Sequence, residues 1–321
     1  MRLLTFTTAK EPEPRLGALM DGETVVDLTA TGSPHLRDSL AFLDGAEEAR
    51  AAAQRALADS RVRHPLASVA LLAPVPVPRS IRDCMVFEQH IVQSTRVVTG
   101  WHFKPLALLD RWLLRAFGRG LIKAPAVWYE HPLYYKSNRF SVVGPGADVR
   151  IPRSSRKFDY ELELGIFIGR KGRDISRERA HEHIAGFTVF NDFSARDVQM
   201  REIAGRLGPA KGKDFDTGNA MGPYLVTPDE VPDPYTLSMT ARVNGEERSR
   251  GTTADMHYRW DEVIAYVSRD ETLHPGEFIG SGTVGGGCGL EHERYLAAGD
   301  VVELEVERLG VLRNRVVGPE A

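Results

Sequence analysis

The chain has 321 residues, 42% of them hydrophobic and 26% charged, with a formal net charge of −3 at pH 7. That length accommodates one large domain or two, with enough apolar content for a sizeable core. The near-neutral balance, with Arg and Lys scattered rather than striped, argues against nucleic acid or an acidic membrane surface as the main partner.

Residues 1–15 hold no apolar stretch of signal-peptide length, and no run of about 18 apolar residues occurs that would read as a membrane span. Cys84 and Cys288 are far apart and form no metal or redox spacing, which points to a reducing, cytoplasmic location.

In chain order, RLLTFTTA (2–9) and ETVVDLTA (23–30) read as short strands, with a turn at Met20–Glu23. Residues 44–58, rich in Ala, Glu and Arg, read as a helix. LLAPVPVPRS (71–80) carries prolines at 74, 76 and 78 and reads as an extended linker. A division follows, with residues 1–75 as a small N-terminal α+β domain and 76–321 as a larger β-rich one. In PLALLDRWLLRAF (105–117), Leu106, Leu109, Leu113 and Phe117 fall at helical spacing. This reads as a core-packing or lid helix, since its opposite face is only lightly basic for a membrane surface. Further strands are expected at 140–144, 158–168, 186–192, 221–226, 236–243, 277–281 and 301–307. Helices are expected at 174–183, 194–204 and about 258–268.

The densest chemistry lies in residues 157–197. Glu161 and Glu163 are two apart in a strand-like, apolar segment, so both carboxylates project to one face. Two buried glutamates on one face repel and desolvate each other, and a cation between them removes both costs. Asp192, at the end of GFTVFND, supplies a third oxygen. An all-oxygen set suits Mg²⁺, Mn²⁺ or Ca²⁺ rather than Zn²⁺. The alternative is a solvated acidic strand face, with Asp192 capping a turn. His181 and His183 form an H-x-H pair that diverges on a helix and reads as solvated. The glycines of 280–289 lack the Lys-Ser/Thr of a phosphate loop and read as a tight turn.

Other segments extend the pattern. RDCMVFEQH places Asp83 seven residues before His90, NDFSARDVQ carries Arg196 and Gln199 after Asp192, Lys213 opens KDFDT, and GSGTVGGGCGLE carries Thr283 and Glu291. With YYK, LHPGE and the order of all these motifs, residues 78–317 resemble the fumarylacetoacetate hydrolase (FAH) family. The resemblance implies an α+β, mostly β fold: a mixed β-roll/β-sandwich C-terminal domain behind a small α+β N-terminal domain, commonly as a homodimer. It implies Glu161, Glu163, Asp192 and Asp83 as metal ligands, with Mg²⁺ as the cofactor and Ca²⁺ or Mn²⁺ as alternatives. His90, with Glu291 as its carboxylate partner, matches the catalytic histidine. Lys213 matches a further catalytic contact, and Arg196, Gln199, Tyr135 and Thr283 match substrate contacts.

Each residue has a plainer reading beside that one. His90 and Glu291 are also compatible with the surface, Lys213 with a solvated loop, Asp83 with a turn, and Tyr134 competes with Tyr135. The chemistry implied is hydrolysis of a C–C bond in a 1,3-diketo acid, with water activated by His90 and an enolate leaving group. Decarboxylase, isomerase and hydratase activities on a 2-oxo acid use the same kind of metal site and remain alternatives. Residues 91–134, with Trp101, Trp112 and Trp128, exceed the usual length of this stretch and mark a lid or specialised pocket mouth.

Overall fold

Strand Glu163–Ile168 is buried at every position, as its unbroken apolar run requires. In the computed structural model, which describes residues 1–320, it lies within a 12-stranded sheet. On one side it pairs antiparallel with Ile184–Asp192, which pairs with Asn219–Val226. On the other it pairs with Phe278–Gly280, followed by Ile81–Cys84 in parallel and Tyr134–Ser137 antiparallel. A five-stranded sheet runs Glu246–Thr252, Ser238–Val243, Val301–Val306, Gly310–Val317, Asp148–Arg150. Its strand Val301–Val306 alternates, burying Val302, Leu304 and Val306.

The N-terminal strands join the large sheet directly, because Arg2–Thr7 pairs with Asn219–Val226 through Leu3 and Leu225. A domain division near residue 75 therefore stays a proposal about chain organisation, since one hydrogen-bonded sheet crosses it. The proline segment 71–80 packs inward, with Ala73 and Val75 buried. Helix and strand contribute 31% and 30% of the residues, an α+β fold. Among the described residues, no helix is long and apolar enough to cross a membrane.

Several elements differ from the sequence expectation. The strand expected over 158–168 divides into Phe158–Asp159 and Glu163–Ile168. Between them, Leu162 N donates to Gly287 O (3.0 Å) and Leu162 O accepts from Val284 N (3.2 Å). The glycine-rich loop therefore pairs with this stretch irregularly. The helix expected at 194–204 begins only at Arg196, because Ser194–Ala195 form a ladder with Phe158–Asp159. The segment 177–183 is 3₁₀ rather than α-helical.

The largest unanticipated element is the helix Glu88–His102. It meets Lys104–Phe117 at Phe103 to make a helical hairpin. Ala107 and Asp110 are the buried positions of the second helix, while Leu109 is 47% and Phe117 67% exposed. The expected apolar stripe is thus only partly inside. Pairing explains the rotation: Asp110 accepts from Arg96 Nε, and from the amides of Leu121 (2.5 Å) and Ile122 (2.8 Å). A buried carboxylate with three donors fixes the helix face more firmly than exposed leucines do.

Candidate active site

Four buried carboxylates meet where the ends of these strands converge. Asp83, Glu161, Glu163 and Asp192 each present an oxygen within 4.8 Å of the others. Asp83 comes from Ile81–Cys84, Glu163 from the next strand but one, and Asp192 from the end of Ile184–Asp192. Glu161 sits in the irregular stretch, its amide donating to Asn191 Oδ1 at 2.9 Å. The glycines beside them give clearance. A Cβ at Gly280 would lie 2.3 Å from Asp83 Oδ1, and one at Gly282, at φ +77°, would lie 2.1 Å from the Cys84 carbonyl oxygen. Gly282 N then donates to both Asp83 Oδ1 (3.2 Å) and Glu163 Oε2 (3.1 Å). Behind Gly280, Phe278 packs on Phe190 and Phe167 with centroids 5.0 and 5.1 Å apart, a rigid backing for the cluster.

The charges in this cluster are only partly balanced. Lys213 Nζ donates to Glu161 Oε2 and Asp192 Oδ2, both at 2.5 Å, and Arg196 pairs with Glu161 at 2.7 Å. Two cations thus face four carboxylates. Burial, reinforced by the Asp192 charge, pushes Asp83 well above the usual carboxylate range, and burial with Asp83 does the same to Glu163. Burial raises Asp192 to about 6 despite Lys213. Glu161 is also penalised by burial, but Arg196 and Lys213 hold it low. Asp192 Oδ1 is buried with no hydrogen-bond partner. An orphaned carboxylate oxygen, beside two carboxyls that resist ionising, fits a hard divalent cation held by these four residues.

His90, on the helix Glu88–His102, sits beside this cluster. Its Nδ1 is hydrogen-bonded to Glu291 Oε1, and its Nε2 lies 3.9 Å from Glu161 Oε1. Glu291 is held in turn by the Gly286 amide on its other oxygen. Cys288 Sγ lies 4.0 Å from His90 Nδ1, so His90, Cys288 and Glu291 also cluster. That trio is a poor metal site: Glu291 occupies Nδ1, and burial pushes the Cys288 thiol well up, keeping it protonated.

The remaining predicted residues converge here too, mostly on the carboxylates. Tyr135 Oη donates to Asp192 Oδ2, whereas Tyr134 lies on the other strand face, near Arg82 and Glu271. Thr283 Oγ1 donates to Glu163 Oε1 at 3.2 Å. Arg196 Nε donates to Asp159 Oδ2 at 2.8 Å and its Nη1 to Gln199 Oε1 at 3.1 Å. His183 lies elsewhere and, contrary to the solvated reading, is buried, with its Nδ1 hydrogen-bonded to the Arg170 carbonyl. Asp159 was assigned no role from the sequence. It binds Arg196 and the amides of Gly289 (2.7 Å) and Leu290 (2.9 Å), so it orients both the guanidinium and the turn that carries Glu291. Its signal was present, since Asp159, Glu161 and Glu163 continue one two-residue alternation.

A cavity of about 580 Å³ opens over the cluster, lined by Asp83, His90, Glu161, Glu163, Arg196 and Lys213 at its floor. A carboxylate cluster, a carboxylate-held histidine and an overlying cavity have the make-up of a site for metal-assisted acid–base chemistry, and mark this as the candidate active site. Residues 114–317 match the fumarylacetoacetate (FAA) hydrolase C-terminal family, and the chain belongs to that family. It is 34% identical to the mitochondrial oxaloacetate tautomerase FAHD2A of Homo sapiens over 320 residues, 99% of this chain and 92% of that one. Among solved structures it resembles a probable 2-hydroxyhepta-2,4-diene-1,7-dioate isomerase from Mycobacterium abscessus, with 28% identity and a TM-score of 0.73, covering 100% of both chains. It also resembles a Sphingobium maleylpyruvate hydrolase determined with manganese(II) and pyruvate, with 25% identity and a TM-score of 0.74, again covering 100% of both. The family assignment and the mixed α+β fold thus agree with the sequence reading. A divalent metal agrees with the acidic cluster and with the manganese-bound neighbour. The human relative's mitochondrial name lends no support to a cytoplasmic location.

Proposed function

We propose that this chain is a divalent-metal-dependent hydrolase that cleaves a C–C bond in a 1,3-diketo acid, with His90 as general base. The observation that carries the reading is the His90–Glu291 pair at the edge of the carboxylate cluster, with Nε2 on the cluster side. The carboxylate holds Nδ1 protonated, which leaves Nε2 as the basic nitrogen, and it stabilises the imidazolium formed when His90 takes a proton from water. Asp83, Glu161, Glu163 and Asp192 would hold Mg²⁺ or Mn²⁺, which when bound polarises the substrate's oxo groups. Tyr135, Thr283 and the Gly282 amide orient those carboxylates by hydrogen bonds. Lys213 and Arg196 supply positive charge beside the site where an enolate develops, and Gln199 lines the cavity with Arg196 on its carbonyl. The leaving carbon is reprotonated as the enolate ketonises, and the imidazolium of His90 can return the proton it took from water.

A second reading is keto–enol tautomerisation of a 2-oxo acid, in which His90 moves a proton at carbon without activating water. The full-length similarity to an oxaloacetate tautomerase favours it. Turnover of acylpyruvates and of enol-oxaloacetate by Mg²⁺-loaded protein in H₂¹⁸O separates the two. One ¹⁸O in a carboxylic acid product supports hydrolysis. Ketonisation with no cleavage product and no ¹⁸O in a carboxyl group supports tautomerisation. A homodimer in the cytoplasm, with no nucleic-acid or membrane partner, completes the proposal.

A further inference from the structure

The cavity is most polar at its floor. Above the carboxylates its wall is mainly apolar, formed by Ile91, Val98, Phe103, Met200, Ile203 and Leu290, with Ser94, Thr95, Thr99 and His102 between them on the helix Glu88–His102. Ile91 and Val98 lie two turns apart on the helix Glu88–His102, so this wall extends for about 10 Å along the helix axis. Phe103 and Ile203 stand at the mouth, 59% and 45% exposed. At about 580 Å³ the space falls within the range of about 300–1,000 Å³ that encloses drug-sized ligands, far more than a four-carbon diacid fills.

Charge is equally informative. Among the described residues lining the cavity, Arg196 and Lys213 are the only Arg and Lys, and both are buried and committed to carboxylates. His102, at the exposed end of its helix, is the only other cationisable group besides His90. A distal carboxylate on the substrate would meet no Arg or Lys on that wall, only the hydroxyls of Ser94, Thr95 and Thr99 and the His102 imidazole at its outer end, so its desolvation is offset only in part.

From this geometry we propose that the substrate is a monocarboxylate, a 2-oxo or 2,4-dioxo acid carrying an apolar alkyl or aryl tail. The tail lies between the helix Glu88–His102 and the Met200–Ile203 edge. This rests on the metal-dependent 2-oxo acid reading above, and goes beyond it in excluding dicarboxylates as preferred ligands.

The test is equilibrium binding of 2-oxo acids to Mn²⁺-loaded protein by calorimetry. The probes are pyruvate, 2-oxopentanoate, 2-oxooctanoate and 2-oxoglutarate, the last matching 2-oxopentanoate with a carboxylate in place of a methyl group. Affinity should tighten about two- to fourfold per methylene from pyruvate to 2-oxooctanoate. 2-Oxoglutarate should bind at least about tenfold more weakly than 2-oxopentanoate. Ile203→Arg, at the half-exposed rim, should reverse that order, and His102→Ala should keep it. Metal-dependent pyruvate binding with no gain from the tail, or with 2-oxoglutarate preferred, overturns the inference alone. Absence of metal-dependent pyruvate binding overturns the functional reading, and this inference with it.

Discussion

His90 Nδ1 and Glu291 Oε1 are hydrogen-bonded although 201 positions separate them. Three elements bring them together: the helix that starts at Glu88, the glycine-rich turn before Cys288, and Asp159, which holds the amides of Gly289 and Leu290. The Gly286 amide occupies the second oxygen of Glu291, so the carboxylate is fixed from both sides. The imidazole orientation is thus set by the fold before any substrate arrives.

Replacing Glu291 by Gln keeps the shape but removes the charge that favours the imidazolium. We expect kcat to fall by about 10²–10⁴-fold with KM little changed. His90→Asn should fall at least as far, while both variants retain Mn²⁺ affinity, because neither residue belongs to the carboxylate cluster. Steady-state kinetics beside a metal titration check this. Weakened metal binding in either variant would contradict the separation of roles.

Glu163 has opposite effects on the metal-free and metal-loaded protein. Burial and its neighbour Asp83 both resist its ionisation. Glu163→Gln should therefore raise the stability of the metal-free protein at pH 7.5 by about 1–3 kcal/mol, by removing the cost of keeping a buried carboxyl neutral. The same change should weaken Mn²⁺ binding by at least about 100-fold. Calorimetry with and without EDTA reads both quantities, and a variant that loses stability in EDTA would count against the site.

The pH dependence of the metal-free protein follows from the same groups. Asp83, Glu163 and Asp192 are raised, Asp192 to about 6, each with burial as the main cause. A carboxyl with a raised folded pKa binds more protons folded than unfolded across that interval, so stability increases as pH falls through it. Metal-free protein should melt at a higher temperature near pH 5.5 than near pH 7.5. Below the ordinary carboxylate range this gain is complete, and pairs such as Asp44 with Arg79, whose hydrogen bond lowers Asp44, begin to lose stability. At pH 7.5 saturating Mg²⁺ should release protons and abolish the difference. A melting temperature that rises steadily with pH in EDTA would refute the assignment.

Asp110 controls the helical hairpin above the cavity. It is 0% exposed and accepts from Arg96 and from the amides of Leu121 and Ile122. Asp110→Ala leaves these donors unpaired, at a cost of about 3–5 kcal/mol. Because few other contacts fix residues 104–123, we expect local opening rather than global unfolding. Hydrogen exchange should accelerate across that segment and leave the central sheet protected. The apolar wall on the partner helix would be disturbed, raising KM more than it lowers kcat.

The ligand set and its order along the chain were legible from local rules. Glu161 and Glu163 are two apart amid apolar neighbours and Asp192 ends an apolar strand, patterns that by themselves left a cation site and a solvated acidic face about equally open. The family resemblance added His90, Glu291 and Asp83. The helix that carries His90 was missed, because Glu88–His102 has a mixed surface with only Ile91 and Val97 buried, too weak a periodic signal to declare a helix. The short strands Ile81–Cys84 and Tyr134–Ser137 were missed because each is only four residues long.

What the sequence determined by itself was the composition of the centre: four carboxylates, one histidine and the α+β frame that buries them. Only the tertiary structure decided their partners. Lys213 and Arg196 are bound to the carboxylates, Tyr135 and Thr283 hold those same groups in place, and Asp159 ties the guanidinium to the turn that carries Glu291. It also decided that Leu109 and Phe117 face outward, because the buried Arg96–Asp110 pair fixes the helix rotation. The physical reason is common to both. Periodicity reports whether a side chain is buried, whereas which polar group meets which depends on contacts between elements far apart in the chain, where an unpaired buried charge costs more than an exposed leucine.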